Sequence, residues 1–271
     1  MVEKTELVVQ SNLIVEASYR MTLTEQRMIL FAICRAREEQ QGLSESTLVT
    51  ISATDFAEMF AVDETTVYRD LKAAMGRLFE RYATIHDAHP KTGKPRITKL
   101  RWVSRASYID GAGTVQLRFA TDMLPFITRL EKEFTQYRLE KIGKLSSVHA
   151  VRLYELLVQY LSIGKREIEI DWLKQMLQVS DEYPRIESFK KRVIDSSVQQ
   201  INTHTDITTS YTQRKTGRNV THLNFKIDAK EAAPNAVKKP SLTRAYVEKH
   251  ALPGESWEVA RARLRVERAH A

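Results

Sequence analysis

Basic and polar side chains recur at helical spacing between residues 185 and 199. Phe189 and Val193 fall on one arc of a helical wheel, and the opposite arc carries mainly cationic, hydroxyl and amide groups. Guanidinium and ammonium groups can donate to guanine, and hydroxyl or amide groups can contact adenine or phosphate. Although a basic helix face is often only solvated surface, this pattern predicts a face that binds DNA. Its candidate contacts are Arg185, Ser188, Lys190, Lys191, Arg192 and Gln199.

An earlier segment, from residue 64 to about 81, has a similar division of its two faces. Its apolar side chains fall within one arc of the wheel, at Val67, Leu71, Met75 and Leu78. The opposite arc supplies a second set of candidate DNA contacts: Thr65, Thr66, Arg69 and Lys72.

Two predicted turns between strands also carry cations that could bind phosphate. Phosphate contacts position a protein on DNA without reading its sequence. Each of these side chains could instead be ordinary solvated surface. The candidates are Lys91, Lys94 and Arg96 around the first turn, and Arg214, Lys215 and Arg218 around the second.

Residues that could support catalysis or hold a metal ion are poorly placed. Residues 143–146 (GKLS) mimic the end of a phosphate-binding loop, but position 138 is Arg138 instead of glycine, and we expect no strand before it. His86 and His89 lack both the spacing and a third ligand of a metal site. Cys34, the single cysteine, lies in an apolar run. The sequence predicts no enzyme and no cofactor.

The candidate residues sit in a recognisable order of elements. The pattern predicts a helix over residues 22–39, capped by Thr22 or Thr24, and a strand over 47–51. A helix capped by Ser52 follows, then a turn, then the helix of residues 64–81, capped by Asp63. Strands are expected over residues 82–86, 95–109 and 114–119. This is the order of a winged-helix domain, with the turn at 90–94 as the tip of its wing.

The second half of the chain replays the first. Apolar residues in the first helix of the predicted pair correspond to Leu173, Met176 and Leu177. Those in the second helix of the pair correspond to Phe189 and Val193, after five extra residues in the turn. The motif Ser107-Tyr108 before one strand matches Ser210-Tyr211 before another. The chain is therefore predicted to be an α+β protein with two tandem winged-helix domains.

The predicted domains cover residues 1–125 and 126–228. A connecting helix is expected to start near Tyr137. Residues 229–271 read as a flexible linker and a partly helical tail ending in arginines.

The overall charge is consistent with an anionic partner. Lys and Arg number 42 and Asp and Glu 34, a formal net charge of +8. The sequence shows no signal peptide and no apolar run long enough for a membrane span. We expect a cytoplasmic protein without membrane contact.

Several segments resemble the iteron-binding plasmid replication initiators, the family of the RepE, Pi and RepA type. Residues 9–14 (VQSNLI) and 24–27 (TEQR) are similar to the start of that family, and residues 188–195 (SFKKRVID) leading to Ile201-Asn202 are similar to its second recognition helix. The resemblance covers about residues 8–227. Ser196 and Gln200 depart from the usual proline and glutamate, so base preferences cannot be transferred.

The resemblance implies a function and partners. A monomer would bind double-stranded DNA at direct repeats, the iterons, in a bacterial origin. Several copies would then open an AT-rich region and recruit the host initiator and the replicative helicase. Homodimers, joined mainly through the first domain, would act as an autorepressor at an operator with an inverted repeat.

Two other functions stay open at this stage. A transcriptional repressor with the same fold would bind an operator without supporting replication. A nicking replication enzyme would need a His-x-His metal pair, which does not occur in the sequence.

Overall fold

Helices and strands make up most of the residues that the computed structural model describes, which are 6–38, 43–109, 111–128 and 133–230. The helices are α1 Asn12–Val15, α2 Leu23–Glu38, α3 Ala53–Phe60, α4 Glu64–Leu78, α5 Leu124–Ile127, α6 Val148–Val158, α7 Ile170–Met176, α8 Ile186–Phe189 and α9 Ser196–His204. The strands are β1 Leu7–Ser11, β2 Val49–Ser52, β3 Tyr82–Ala88, β4 Pro95–Arg101, β5 Val103–Ile109, β6 Thr114–Phe119, β7 Phe134–Arg138, β8 Lys165–Glu169, β9 Ile207–Thr216 and β10 Asn219–Ala229. Apart from Ala229 and Lys230, the predicted linker and tail lie outside the described residues.

The first half contains the predicted helix, strand and helix pair. Thr22 and Glu25 form reciprocal hydrogen bonds between side chain and backbone at the start of α2. Ser52 caps α3 and Asp63 caps α4, each by accepting from a backbone N–H. The apolar face of α4 is buried as predicted. Strand β6 lies between β2 and β5 in an antiparallel sheet on which these helices pack.

The hairpin that the sequence predicted as the first wing is a separate structure. Strands β3 and β4 form a two-stranded sheet of their own, whereas β5 and β6 complete the sheet of the domain and are its wing. The prediction was wrong because it treated residues 95–109 as one strand, which the buried Trp102 interrupts. Lys91, Lys94 and Arg96 therefore belong to a hairpin inserted between α4 and the wing.

The second half repeats the order of the first, which confirms the α+β fold with two winged-helix domains. Helix α6 precedes β8 and α7, a second long helix follows, and β9 and β10 form the wing, in a sheet ordered β8–β10–β9. The predicted connecting helix was wrong: Tyr137 lies in β7, which pairs with β1. This pairing joins a strand beyond the predicted domain boundary to the start of the chain. The boundary itself stays a prediction.

The second long helix runs without a break from residue 186 to 204, but its middle segment, Lys190–Asp195, is π-helical. Four of its buried side chains lie four residues apart, at Phe189, Val193, Ser197 and Ile201, and Ile194 is buried beside them. In an α-helix of 3.6 residues per turn, such a stripe would rotate by about 40° at each step. The wider π turn opposes that rotation, so the four side chains stay on the face that meets the core.

A buried polar network joins the two halves of the chain. The carboxylate of Glu155 on α6 accepts hydrogen bonds from Gln10, Gln26, Tyr137 and Arg152, at 3.1, 3.4, 2.7 and 3.2 Å. Gln10 and Gln26 belong to the first half of the chain, and Glu155 belongs to the second. The apolar core is also continuous across both halves. The two winged helices therefore form one body.

Glu25 forms a second buried ionic contact, within the first domain. Its fully buried carboxylate accepts from Arg77 at 2.7 Å and from Arg81 at 2.8 Å, which ties α2 to the end of α4. Burial acts to raise the pKa of Glu25, but the hydrogen bonds from Arg81 and Arg77 outweigh it and hold the pKa below its ordinary value of 4.5.

We expect Glu25→Gln to lower the free energy of unfolding at pH 7 by about 3 kcal/mol, because two arginines lose their buried counter-ion. The folded pKa is lower than the unfolded one, so this stabilisation is complete above about pH 4.5 and is lost as the pH falls through the folded value. Urea denaturation at pH values from about 3 to about 7, a range that brackets the pKa of a glutamate, measures both effects. Parallel curves for wild type and variant would contradict the ionic role of Glu25.

Candidate nucleic-acid interface

The helix at residues 186–204 exposes the basic face that the sequence predicted. Its buried stripe faces the core, and Ser188, Lys191, Arg192 and Gln199 are exposed on other faces. Arg185 is exposed immediately before the helix. Lys190, next to buried Phe189, is half-buried and is the least accessible of the predicted contacts. That these side chains touch DNA stays a prediction.

The arginines of this protein differ in whether a carboxylate neutralises them. Most of those in the described segments contact an acidic side chain: Arg20, Arg35, Arg69, Arg77, Arg81, Arg96, Arg101, Arg152, Arg166 and Arg214. The other described arginines have no such contact with a described residue, and three of these, Arg185, Arg192 and Arg218, lie on the second helix-turn-helix or its wing. Their charge is available to an external anion.

The wing of the second domain carries its cations as predicted, on both sides of the turn at Gly217. Gly217 has a φ of +62°, a backbone conformation that glycine adopts without strain. Lys215 and Arg218 flank it and are exposed. Arg214 contacts Glu167 of β8 at 3.0 Å. Lys215 and Arg218 are therefore better placed than Arg214 to contact phosphate.

The equivalent helix of the first domain, α4, uses its polar side chains in internal contacts. Thr65 donates its hydroxyl to Asp63 at 2.8 Å, and Thr66 donates to the Asp63 carbonyl at 3.4 Å. The backbone and hydroxyl of Thr65 hold the pKa of Asp63 below its usual range. Arg69 contacts Asp70 at 3.2 Å.

Lys72, also on α4, is held by the wing. Its Nζ lies 3.8 Å from the ring centroid of Tyr108 on β5, a cation–π contact. The four residues predicted on α4 do share one helix, but their side chains have partners, so this surface is less available to DNA than the second helix is.

The additional hairpin β3–β4 presents its basic residues at the tip. Lys91 and Lys94 are exposed in the turn, where Gly93 has a φ of +67°. Arg96 forms a bidentate ion pair with Asp87 across the two strands. The hydrogen bond from Arg96 is the main reason why the pKa of Asp87 lies below its usual range. Lys91 and Lys94 are the cations of this hairpin that could reach a phosphate.

Two arginines of the first wing, exposed Arg105 and half-buried Arg118, were not singled out from the sequence. Arg105 on β5 and Arg118 on β6 are direct cross-strand neighbours on the outer face of the first wing sheet, and neither contacts a described carboxylate. Like charges directly opposite each other destabilise a sheet. The alternation of outward positions along the two strands was the signal that could have identified this pair.

The weak catalytic candidates gain no support. A strand, β7, does precede residues 143–146, contrary to our expectation, but Arg138 still occupies the glycine position, and Ser146 donates its backbone N–H to Gln200 at 2.9 Å. His86 lies 3.4 Å from Gln175. Within the described residues, no three His, Cys, Asp or Glu side chains are grouped as metal ligands. None of the described helices is long and apolar enough to cross a membrane.

Two helix-turn-helix units, each followed by a β-hairpin wing and joined in one body, define the class of tandem winged-helix proteins. The chain belongs to the initiator replication protein family. The family model for the first domain, described as "Initiator Replication protein, WH1", matches residues 7–158, and the model described as "Initiator Rep protein, WH2" matches residues 169–227. The resemblance inferred from the sequence is thus confirmed.

Individual relatives agree with this assignment. The chain is 25% identical over 232 residues to a replication initiation protein of Escherichia coli, covering 83% of this chain and 70% of the relative. It is 26% identical over 219 residues to an uncharacterized 27.6 kDa protein of Escherichia coli, covering 77% of this chain and 90% of the relative.

A solved structure has the same fold. The Pi initiator protein, crystallised in complex with iteron DNA, matches with a TM-score of 0.68 at 22% identity, over 85% of this chain and 100% of that protein. At this identity the likeness concerns the fold.

Proposed function

We propose that this protein initiates plasmid replication by binding iterons, the direct repeats of an origin, as a monomer. The observation that carries the proposal is the exposed Arg192 and Lys191 on a recognition helix, without carboxylate partners among the described residues. Membership of the initiator family supports the replication role, and the similar fold of the Pi initiator in its iteron complex supports the choice of DNA.

The two domains have different tasks in this proposal. The second domain reads bases through the helix of residues 186–204 and contacts phosphate through Lys215 and Arg218. The first domain positions the protein mainly through the tip of the β3–β4 hairpin. Helix α4 contributes less, since its Arg69 and Lys72 are engaged internally. Because the domains form one body, binding by one places the other against the adjacent groove, which makes the second contact effectively intramolecular.

The later steps of initiation are part of the same proposal. Copies bound at neighbouring repeats open an AT-rich region and recruit the host initiator and the replicative helicase. A homodimer represses the gene of the protein at an inverted repeat. Support for these steps comes from the family, and we assign them no catalytic residue and no cofactor.

A footprint on the noncoding DNA beside the gene, combined with a replication assay of the same fragment, tests the proposal. Protection of evenly spaced direct repeats on a fragment that sustains replication would support it. Protection of a lone inverted repeat, on a fragment that fails to replicate, would indicate a repressor. Metal-dependent cleavage of the supercoiled fragment would instead indicate a nicking enzyme.

If Arg192 reads guanine, Arg192→Ala should cost about 1 to 3 kcal/mol of binding free energy and relax specificity at one base pair. Arg138→Ala is the matched control, because Arg138 is an exposed arginine on β7 without a described carboxylate partner. Binding titrations with a duplex that carries the protected site, and with duplexes that carry single-base substitutions in it, measure the changes in affinity and in base specificity. An equal loss on random DNA would show that Arg192 contacts only phosphate.

Lys94→Ala should weaken binding to all DNA sequences alike, because a turn cation contacts the backbone. The slope of log affinity against log salt concentration should fall in magnitude by about one. Affinity measured at several salt concentrations gives the slope. An unchanged slope would show that the tip of the β3–β4 hairpin does not contact the DNA backbone.

A further inference from the structure

A hydrogen bond joins the recognition helix of the second domain to its wing. The phenol of Tyr211, on β9, donates to Oδ1 of Asp195 at 2.5 Å. Asp195 is the last residue of the π-helical segment and is exposed. The contact is therefore at the surface, beside the basic residues assigned to DNA.

Asp195 binds a tyrosine, although its neighbours along the helix include two cations. Lys191 and Arg192 lie four and three residues before it, the spacings at which opposite charges pair on an α-helix; the wider π turn of this segment keeps Lys191 closer to Asp195 around the helix than Arg192. Nevertheless, neither cation contacts a carboxylate in the described structure, and Asp195 binds a neutral phenol. The hydrogen bond from Tyr211 thus engages Asp195, the carboxylate that is close along the helix to two candidate DNA contacts.

Tyr211 is held rigidly enough for this role. It is the direct cross-strand neighbour of Phe225 on β10, and the two rings pack with centroids 5.7 Å apart. Burial, together with the hydrogen bond to Asp195 and its negative charge, raises the pKa of Tyr211 above its usual range. The phenol therefore stays protonated, and able to donate, at physiological pH.

In the first domain the equivalent wing tyrosine does not bind an acid of the recognition helix. On α4 the acid next to Arg69 is Asp70, and there the two side chains do pair, at 3.2 Å. The tyrosine at the position equivalent to Tyr211 is Tyr108, whose ring contacts Lys72 and whose hydroxyl has no described hydrogen-bond partner. The wing tyrosine of the first domain therefore contacts a cation, whereas that of the second domain binds an anion.

We propose that Tyr211 acts as a positioning residue that holds Asp195 away from Lys191 and Arg192 and so keeps both cations available for DNA. The inference rests on the proposed function. If it holds, one tyrosine of the wing controls how much positive charge the recognition helix presents to DNA.

The test is a set of variants of the full chain: Tyr211→Phe, Asp195→Asn and the double variant. Duplexes with a randomised stretch of about two helical turns are first selected with the wild type, and affinities are then measured for the selected duplex and for random DNA. Tyr211→Phe releases Asp195 and should weaken binding to the selected duplex about two- to fivefold, the value of an exposed ion pair. Asp195→Asn alone should bind as the wild type does or more tightly.

The decisive result is the double variant. Asp195→Asn in the Tyr211→Phe background should restore wild-type affinity, because the released amide carries no charge. Tyr108→Phe is the matched control: it keeps the ring beneath Lys72 and should change nothing. Melting temperatures of all variants separate lost folding from lost binding.

Three outcomes would overturn the inference. A double variant as weak as Tyr211→Phe would mean that the hydrogen bond acts only through structure. Wild-type affinity of Tyr211→Phe would mean that Asp195 does not compete for the cations. Failure of the wild type to enrich any sequence would overturn the proposed function as well, and so is distinct from the other two.

Discussion

The buried carboxylate of Glu155 is the constraint on which the junction between the two halves of the chain depends. It accepts from four side chains that come from β1, α2, β7 and α6. Removing a carboxylate from water costs several kcal/mol, and only well-placed donors offset that cost. Moving the first half of the chain away from α6 would leave the charge with only part of its donors, because Gln10 and Gln26 belong to the first half. The network therefore favours a single arrangement of the two winged helices over a range of arrangements.

A fixed arrangement has consequences for DNA binding. Two domains on a flexible connection would lose orientational freedom on binding, whereas domains already joined have lost it during folding. Two further ion pairs join the halves of the chain: buried Arg166 on β8 binds Glu16 at 2.7 Å, and exposed Arg20 contacts Glu182 at 3.2 Å. The spacing between the two recognition helices is thereby set by the protein, and a matching spacing is required of the DNA.

The sequence was sufficient to predict those features that depend on local interactions. The caps at Thr22, Ser52 and Asp63 and the buried faces of the helix pairs follow from side-chain type and helical period, and the repeat follows from their order. The pairing of β1 with β7 could not be predicted, because the two strands lie more than 120 residues apart along the chain. The extra hairpin was missed because the break at Trp102 carries no glycine or proline.

For the candidate site, the sequence indicated which residues are exposed but not which are free of partners. Exposure follows from helical period, and it holds for Arg69 as well as for Arg192. Ion pairing depends on rotamers and on neighbours from other strands: Arg214 is paired through Glu167 on β8, and Arg96 through Asp87 on β3. Such contacts need the register of the sheet, which no local pattern contains.

The two domains show that one scaffold can carry two different electrostatic surfaces. In both, a tyrosine of the wing contacts the recognition helix. In the first domain Tyr108 contacts a cation, Lys72, which is thereby used in folding. In the second, Tyr211 contacts an anion, Asp195, and the cations beside it stay exposed. In the proposal made above, the group that the wing tyrosine binds decides which cations of its helix stay accessible to DNA, and the fold alone does not.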